Sequence, residues 1–328
     1  MIRRRSNWLS LFAISMGLAV ATSASYAQEA YPSRAIKLIV PYAAGGSTDA
    51  TARLFAHELS SSLKQTVIVE NRPGANGLIG TESAARADGD GYTLLFGPIA
   101  TNAIAGSLYP DIRYDPINDF VAISEVARTP LLLVVGPSVP VKTLSELRSY
   151  VKNSAREITY ASGGQGTASH IAGALFVRQE GFAAQHIPYK GSGLALNDVM
   201  GGHVDLMFDS IATSLQQVRA GKLHALGIST KSRSDIAPEI PTLEEAGMPG
   251  FEVTWWFGLF APRGTSPEIV ETLSSASKTV LSRAAVRDEF ITRGLEPVGS
   301  NAAEFGQKVK NEAIYWGRVI RDAGIKVQ

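Results

Sequence analysis

Glycine-rich turns are the feature of this sequence with the clearest chemical potential. Four of them follow short apolar runs and precede amphipathic segments, at residues 41–49, 71–77, 161–167 and 188–193. A helix N-terminus presents unpaired N–H groups and about half a positive charge, and glycine lets a ligand approach that backbone because it lacks a Cβ. The pattern indicates main-chain binding of an anion. Ordinary tight strand–helix connections are the alternative, and they are the better explanation for any single turn.

None of these turns carries a nucleotide-binding motif. The sequence GGST at 45–48 lacks the lysine of a P-loop, and GGQG at 163–166 does not fit G-x-G-x-x-G. The sequence therefore predicts an anion site of another kind.

The titratable residues form no catalytic or metal-binding pattern. No two of the five histidines have a metal-binding spacing. There is no cysteine, which excludes disulfides and thiolate chemistry, and no G-x-S-x-G elbow. We therefore predict that the protein is not an enzyme and uses neither metal nor cofactor. His170 follows Gly166-Thr167 directly, and contact with a ligand and helix packing are equally good interpretations of it.

Two carboxylates and two tryptophans are further candidates. Asp205 and Asp209 flank the end of a predicted strand, where Asp209 is placed to reach a cleft and Asp205 to hold a loop. Trp255 and Trp256 are adjacent in an extended segment, so at most one of them faces the cleft. We assign Trp256 to the site, with core packing of both as the alternative.

The elements that must position these residues alternate between strand and helix. Short runs rich in Val, Ile and Leu do not alternate with polar residues, as is typical of strands buried on both faces. They predict strands at 36–40, 66–70, 93–96, 131–135, 158–160, 184–187, 204–208 and 225–228. Capping patterns predict helices beginning at Thr143, Thr242, Ser266 and Asn301. This order defines an α/β class.

Composition and the first residues place the chain outside the cytoplasm. A length of 328 residues suits about two domains. A charged fraction of 19% and a net charge of +1 give no basic patch for nucleic acid. Residues 1–27 have the pattern of a secretory signal peptide, with arginines at 3–5, an apolar run at 9–21 and the small residues Ser25 and Ala27. The apolar run is too short to span a membrane. We predict a protein exported to the periplasm.

The sequence resembles the Bug/TctC family, the extracytoplasmic solute receptors of tripartite tricarboxylate transporters. The similarity covers essentially the whole chain after residue 30, in order. It lies in IKLIVPYAAGGSTD at 36–49, VENRPGANG at 69–77, ADGDGYTLL at 87–95, YASGGQGTASH at 160–170, IPYKG at 187–191, GGHVDLMF at 201–208, AGKLHAL at 220–226, IPTLEEAG at 240–247 and WFGLFAP at 256–262. Each motif is weak alone, but together they are highly specific.

The resemblance implies a two-lobed periplasmic-binding-protein (Venus flytrap) fold, in which each lobe is a mostly parallel sheet flanked by helices. Domain 1 is expected to be discontinuous, at 28–127 and 250–328, with domain 2 at 128–249. The lobes are expected to close on a small carboxylate without an arginine clamp. The resemblance, together with the turns, implies the ligand-binding residues Tyr42, Ala44, Gly45, Gly46, Ser47, Thr48, Asn76, Pro98, Thr101, Gly164, Gln165, Gly166, Thr167, His170, Tyr189, Lys190, Asp209 and Trp256.

Three functions agree with these observations to different degrees. The leading hypothesis is a monomeric periplasmic receptor that delivers a carboxylate to membrane transporter subunits. A protein that binds the solute and signals to a membrane sensor is the second, because the sequence does not separate uptake from sensing. An exported hydrolase on the same scaffold is the third, and the missing nucleophile–base motif argues against it. The identity of the carboxylate is left open.

Overall fold

A computed structural model of the protein describes residues 31–323. The predicted signal peptide at 1–27 lies outside the described residues. The strands are β1 (Ile36–Val40), β2 (Val67–Asn71), β3 (Thr93–Pro98), β4 (Phe120–Val135), β5 (Ile158–Ser162), β6 (Ala184–Pro188), β7 (Leu206–Ser210), β8 (His224–Ile228), β9 (Thr254–Pro262) and β10 (Glu296–Pro297).

Ten α-helices flank these strands in the described part of the chain. They are α1 (Ser47–Leu63), α2 (Leu78–Ala85), α3 (Ala105–Leu108), α4 (Leu144–Asn153), α5 (Ala168–Glu180), α6 (Ser192–Met200), α7 (Ile211–Arg219), α8 (Pro267–Leu281), α9 (Ala284–Thr292) and α10 (Ala302–Ala323). A 3₁₀ turn (Ala75–Gly77) precedes α2, and a π-helical turn (Ala100–Ile104) precedes α3. Within residues 31–323, none of the helices is both long and apolar enough to cross a bilayer.

The strands form two halves joined by shared strands. Their order is β2-β1-β3-β9-β4-β7-β5-β6, with β8 and β10 also paired to β4. The first half has the parallel pairs β1–β2 and β1–β3, and the second half has β5–β6 and β5–β7. The fold class is thus the predicted α/β class. Between the parallel parts, β4 and β9 add antiparallel pairs.

Strand β4 runs through both halves. It has 16 residues. Its part from Phe120 to Pro130 pairs with β9, and its part from Leu131 to Val135 pairs with β7. Its register against β9 shifts at two places, between Ala122 and Ser124 and between Glu125 and Ala127. Such bulges bend a strand and increase its twist, and both of them lie in the part of β4 that pairs with β9.

Three clusters of buried apolar side chains hold the helices against the strands. One, around Leu38 and Phe55, belongs to the first half, and another, around Met207, belongs to the second. The third includes residues of both halves, among them Trp256 and Phe208. The buried apolar area is the main source of stability. The third cluster therefore contributes to the stability of both halves.

Three of the four predicted helix starts are confirmed. Thr143, Ser266 and Asn301 accept hydrogen bonds from the main-chain N–H groups of the first turns of α4, α8 and α10. The helix predicted at Thr242 is wrong. Its capping bonds form, with Glu245 N donating to Thr242 Oγ1 at 3.0 Å. However, the N–H of Leu243 donates to Ile228 O of β8 at 2.9 Å, which ties the segment to the sheet as a single turn.

Candidate functional site

One cleft of about 830 Å³ is lined by residues of both halves. The first half contributes the turn between β1 and α1, and the second half contributes the turn between β5 and α5 and the start of α7. Apolar side chains of the joining strands, Leu131, Trp255 and Phe257, complete the lining. The carboxyl ends of parallel strands are the usual binding edge of an α/β sheet.

The turn before α1 leaves main-chain donors free. Gly46 is the N-cap of α1, has an extended backbone (φ −79°, ψ 169°) and makes no side-chain capping bond. Asp49 Oδ2 accepts from Gly45 N at 2.9 Å and from Arg53 Nε at 3.0 Å. Burial opposes ionisation of Asp49, but these bonds and one from Asn71 lower its pKa below the usual value. Asp49 therefore holds the turn, while the N-terminus of α1 opens to the cleft.

The turn before α5 is held by its own hydroxyls. Thr167 caps α5 and donates from its Oγ1 to Gly164 O at 2.7 Å. Gly163 N donates to Ser169 Oγ at 3.0 Å. Gly166 has φ +75°, in the left-handed region that favours glycine. The two turns with glycine at a helix start thus reach one cleft from opposite halves.

Two stacked histidines support the second turn from behind. The ring centroids of His170 and His186 are 4.1 Å apart, with 15° between the planes. His170 Nδ1 accepts from Gly166 N at 3.0 Å, and His186 Nε2 shares a 2.7 Å hydrogen bond with Ser162 Oγ. Burial lowers the pKa of both imidazoles, that of His186 to about 4, where His170 adds to the effect. Both rings are therefore neutral at physiological pH.

We expect this pair to make the protein less stable in mild acid. An unfolded chain takes up protons below about pH 6.5, whereas the folded state accepts one at His186 only near pH 4, so stability falls as pH decreases from about 6.5 to about 4. His186→Gln keeps a side-chain partner for Ser162 without the titration. Its melting temperature should fall less over this range than that of the wild type, as measured by thermal denaturation. His57→Gln, at an exposed histidine, is the control, and equal slopes in all three proteins would contradict the expectation.

Asp209 is a buried carboxyl in the cleft lining. It is 2% exposed, at the end of β7. Thr213 Oγ1 donates to its Oδ2 at 2.5 Å. Burial raises the pKa of Asp209 to about 6, against the opposing effect of hydrogen bonds from Thr213 and from the N–H of Ser210. Asp205, by contrast, points away from the site and accepts from Arg156 and Thr159, as expected for a residue that holds a loop.

Apart from Trp256, the predicted site residues divide into two groups in the structure. Those that line the cleft are Tyr42, Gly46, Ser47, Thr48, Asn76, Pro98, Gln165, Gly166, Thr167 and Asp209. The others lie beside or behind the lining and are Ala44, Gly45, Thr101, Gly164, His170, Tyr189 and Lys190.

Residues of the second group bond to other groups of the protein or lie outside the cleft. Thr101 is 1% exposed and donates to Asn102 Oδ1 at 2.8 Å. The hydroxyl of Tyr189 donates to Asp198 at 2.6 Å, and Lys190 is exposed outside the cleft. Gly45 uses its N–H to bond Asp49. None of these four residues lines the cleft.

Trp256 requires a correction, since it lies in the core. It is 0% exposed, and its indole Nε1 donates to Glu312 Oε2 at 2.7 Å. Its ring is edge-on to Phe305, with 5.2 Å between centroids. Trp255 lines the cleft instead. Adjacent strand residues point to opposite faces, so the prediction that Trp256 belongs to the site is wrong.

Several polar residues of the lining were not predicted. They are Thr129, Ser169, Ser192, Ser210, Thr213, Tyr109 and Arg293. Thr129 on β4 and Ser210 share a 2.9 Å hydrogen bond between their hydroxyls across the two strands. Ser169 and Ser192 lie in the first turns of helices that follow predicted glycine turns, so that pattern was available to find them. Nothing in the sequence marks Thr129 or Arg293.

Two α/β halves around a shared cleft define the class of periplasmic binding proteins. The model of the tripartite tricarboxylate transporter family receptor, TctC, matches residues 51–325. The chain belongs to this family. It is 36% identical over 321 residues to protein BugT of Bordetella pertussis, covering 98% of this chain and 97% of BugT.

Solved structures of other proteins are similar to this chain in both fold and sequence. The structure of periplasmic binding protein BugD superposes with a TM-score of 0.76 at 36% identity, over 91% of this chain and 100% of that one. R. palustris Rpa4515 with adipate gives a TM-score of 0.79 at 34% identity, over 90% of this chain and 99% of that one. The family is one of receptors and not of enzymes, in agreement with the prediction from the titratable residues.

Proposed function

We propose that this protein is a periplasmic receptor that captures a small carboxylate between its two halves and delivers it to the membrane subunits of a tripartite tricarboxylate-type transporter. The observation that carries the proposal is the pair of glycine turns, at Gly46 and Gly166, that line one cleft from opposite halves. Each opens a helix whose first N–H groups and dipole favour an anion.

Hydrogen bonds from main-chain N–H groups and hydroxyls provide enough free energy to bind a carboxylate. A hydrogen bond to a charged group contributes about 1.5–3 kcal/mol net, so four or five of them provide about 6–15 kcal/mol. A micromolar complex requires about 8 kcal/mol, after the costs of association and of closure are met. The hydroxyls of Ser47, Thr48 and Thr167 line the same cleft as the turns and add donors to them.

Closure would be a rotation of domain 1 against domain 2, with the ligand selecting the closed state. We place the change of domain near Pro130 and Leu131, where β4 exchanges β9 for β7 as its partner. The expected boundary at 127–128 falls inside β4, a few residues before this exchange. The chain returns to domain 1 with β9, which begins at Thr254.

Relatives support the location and the ligand class. BugD is described as a periplasmic binding protein, and the R. palustris structure contains adipate. Export of this chain rests on the signal-peptide pattern at 1–27. Delivery to transporter subunits rests on the family, whose members are described as receptors of that transporter.

A thermal-shift and calorimetry screen tests the proposal. The purified protein is screened against mono-, di- and tricarboxylates, adipate included, each beside its uncharged amide. A ligand that binds only the folded state raises the melting temperature. We expect at least one carboxylate to bind with micromolar or tighter affinity and its amide to bind at least about tenfold more weakly, because an amide lacks the charge. Absence of binding by every acid, or equal binding of acid and amide, would contradict the proposal.

A further inference from the structure

Most of the buried acids in the described part of the chain are paired with a cation. Among the described residues, four acidic residues are buried as a whole, namely Asp49, Glu125, Asp205 and Asp209. Arg53 lies 3.0 Å from Asp49, Lys308 lies 2.7 Å from Glu125, and Arg156 lies 2.6 Å from Asp205. A buried charge is costly unless it is paired and hydrogen-bonded, and three of the four acids follow this rule.

Asp209 is the exception, and it is the one that lines the cleft. Within residues 31–323 no Lys, Arg or His approaches its carboxyl within 4 Å. Its side-chain donor is the neutral hydroxyl of Thr213, 2.5 Å away. The residue of β4 paired with it, Leu132, is apolar and fully buried. The buried acid that lacks a cation is therefore the one that belongs to the cleft lining.

The cleft holds one other charged side chain among the described residues, Arg293. Its guanidinium donates to Glu289 Oε1 at 2.6 Å on the same helical segment. The next residue, Gly294, packs against the start of α7, where a Cβ would lie 2.4 Å from Ala212 Cβ. Arg293 thus has a carboxylate partner on its own helical segment and forms no ion pair with Asp209 within 4 Å.

We propose that Asp209 determines specificity by pairing with a protonated amine of the ligand, so that the solute is a small amino carboxylate. The proposal rests on the proposed function, since the carboxylate of the same ligand binds at the glycine turns. The ammonium group would supply the cation that Arg53, Lys308 and Arg156 supply to the other buried acids. A ligand group that carries a negative charge in place of the amine would instead lie beside the like charge of the Asp209 carboxylate, which is unfavourable.

Matched pairs of ligands test this assignment. Calorimetry at pH 7.5 compares aspartate with succinate, glutamate with glutarate, and 4-aminobutyrate with butyrate, with adipate as a further carboxylate. At that pH Asp209 is mainly ionised, because its pKa is about 6. We expect the amine-bearing member of at least one pair to bind about ten- to a hundredfold more tightly than its partner, as for a charge-assisted hydrogen bond.

Two variants separate this role from a structural one. Asp209→Asn keeps the shape and an acceptor for Thr213, and it should remove the preference for the amine while the protein still melts cooperatively. Asp198→Asn is the matched control, because Asp198 binds the hydroxyl of Tyr189 outside the cleft lining, and it should retain the wild-type preference. A preference that survives in Asp209→Asn would overturn the assignment.

Protonation of Asp209 itself is the alternative to pairing with a ligand ammonium group. Binding measured at lower pH distinguishes the two. The other titratable groups of the cleft lining are Arg293, Tyr42 and Tyr109. His170 and His186 lie behind the turn before α5 and do not line the cleft. Between pH 7.5 and 5.5 the amine-bearing ligand should bind more weakly to the wild type and unchanged to Asp209→Asn. If succinate, butyrate or adipate binds as tightly as the amines, or tightens on acidification only when Asp209 is present, the amine assignment is wrong and the proposed function stands. If no acid binds at all, the proposed function itself fails.

Discussion

Gly46→Val is expected to abolish carboxylate binding in a protein that still folds. The backbone at Gly46 (φ −79°, ψ 169°) is one that valine adopts readily. A Cβ there would have Ala43 O, at 3.7 Å, as its nearest contact, which is ordinary van der Waals distance. The branched side chain would instead occupy the cleft beside the first N–H groups of α1, where the carboxylate is proposed to bind. We expect affinity to fall at least about a hundredfold, through loss of two charged hydrogen bonds.

Calorimetry with the tightest carboxylate of the screen measures the loss, and thermal denaturation measures the fold. Gly193→Val is the matched control, because that exposed glycine has no atom within 4 Å of its Cβ position and does not line the cleft. Gly166→Val is less informative, since φ +75° strains any valine at that position. Unchanged affinity in Gly46→Val would show that the turn before α1 does not hold the ligand.

Trp256→Ala is expected to cause the largest loss of stability among the aromatic residues near the cleft. The indole is fully buried against Phe305 and donates to Glu312. Truncation of a buried large aromatic side chain costs about 3–5 kcal/mol in the free energy of unfolding. It would also remove the indole donor of Glu312, in a place where burial already raises the pKa of that carboxyl. Urea denaturation measures the change.

Trp255→Ala is the control for this expectation. Trp255 lines the cleft and is only partly buried, so its truncation should reduce ligand affinity more than stability. Trp256→Phe should cost less than Trp256→Ala, because it keeps an aromatic ring and most of the side-chain volume while it loses the N–H. The assignment of the two residues would be reversed if Trp255→Ala destabilised the protein more than Trp256→Ala.

Short apolar strands were the part of the fold that sequence predicted best. Strand β1 matches its predicted range, and β5 and β6 begin where predicted. The first eleven residues of β4 were missed because Ser124, Glu125, Arg128 and Pro130 interrupt the apolar pattern. In the structure Glu125 is buried through its pairing with Arg128 and Lys308, and pairing of this kind does not appear in a hydrophobicity pattern.

The site was predictable where it depends on local chemistry. Glycine followed by hydroxyl residues at a helix start marks Gly46–Thr48 and Gly166–Thr167, and both stretches line the cleft. The sequence did not identify the residues that line the cleft because of how the chain crosses between the halves. Thr129 and Arg293 reach the cleft only because β4 and the end of α9 pass beside it. Which tryptophan faces the ligand depends on strand register, and a shift of one residue reverses that choice.

The continuity of β4 has a consequence for engineering the protein. A chain divided at 127–128 would leave each fragment with a severed strand whose N–H and C=O groups have lost their neighbours, and such edges promote aggregation. The halves are therefore poor candidates for exchange between relatives or for a split reporter. A fluorescent reporter of closure belongs instead in an exposed surface loop such as residues 231–233, where an insertion interrupts no strand.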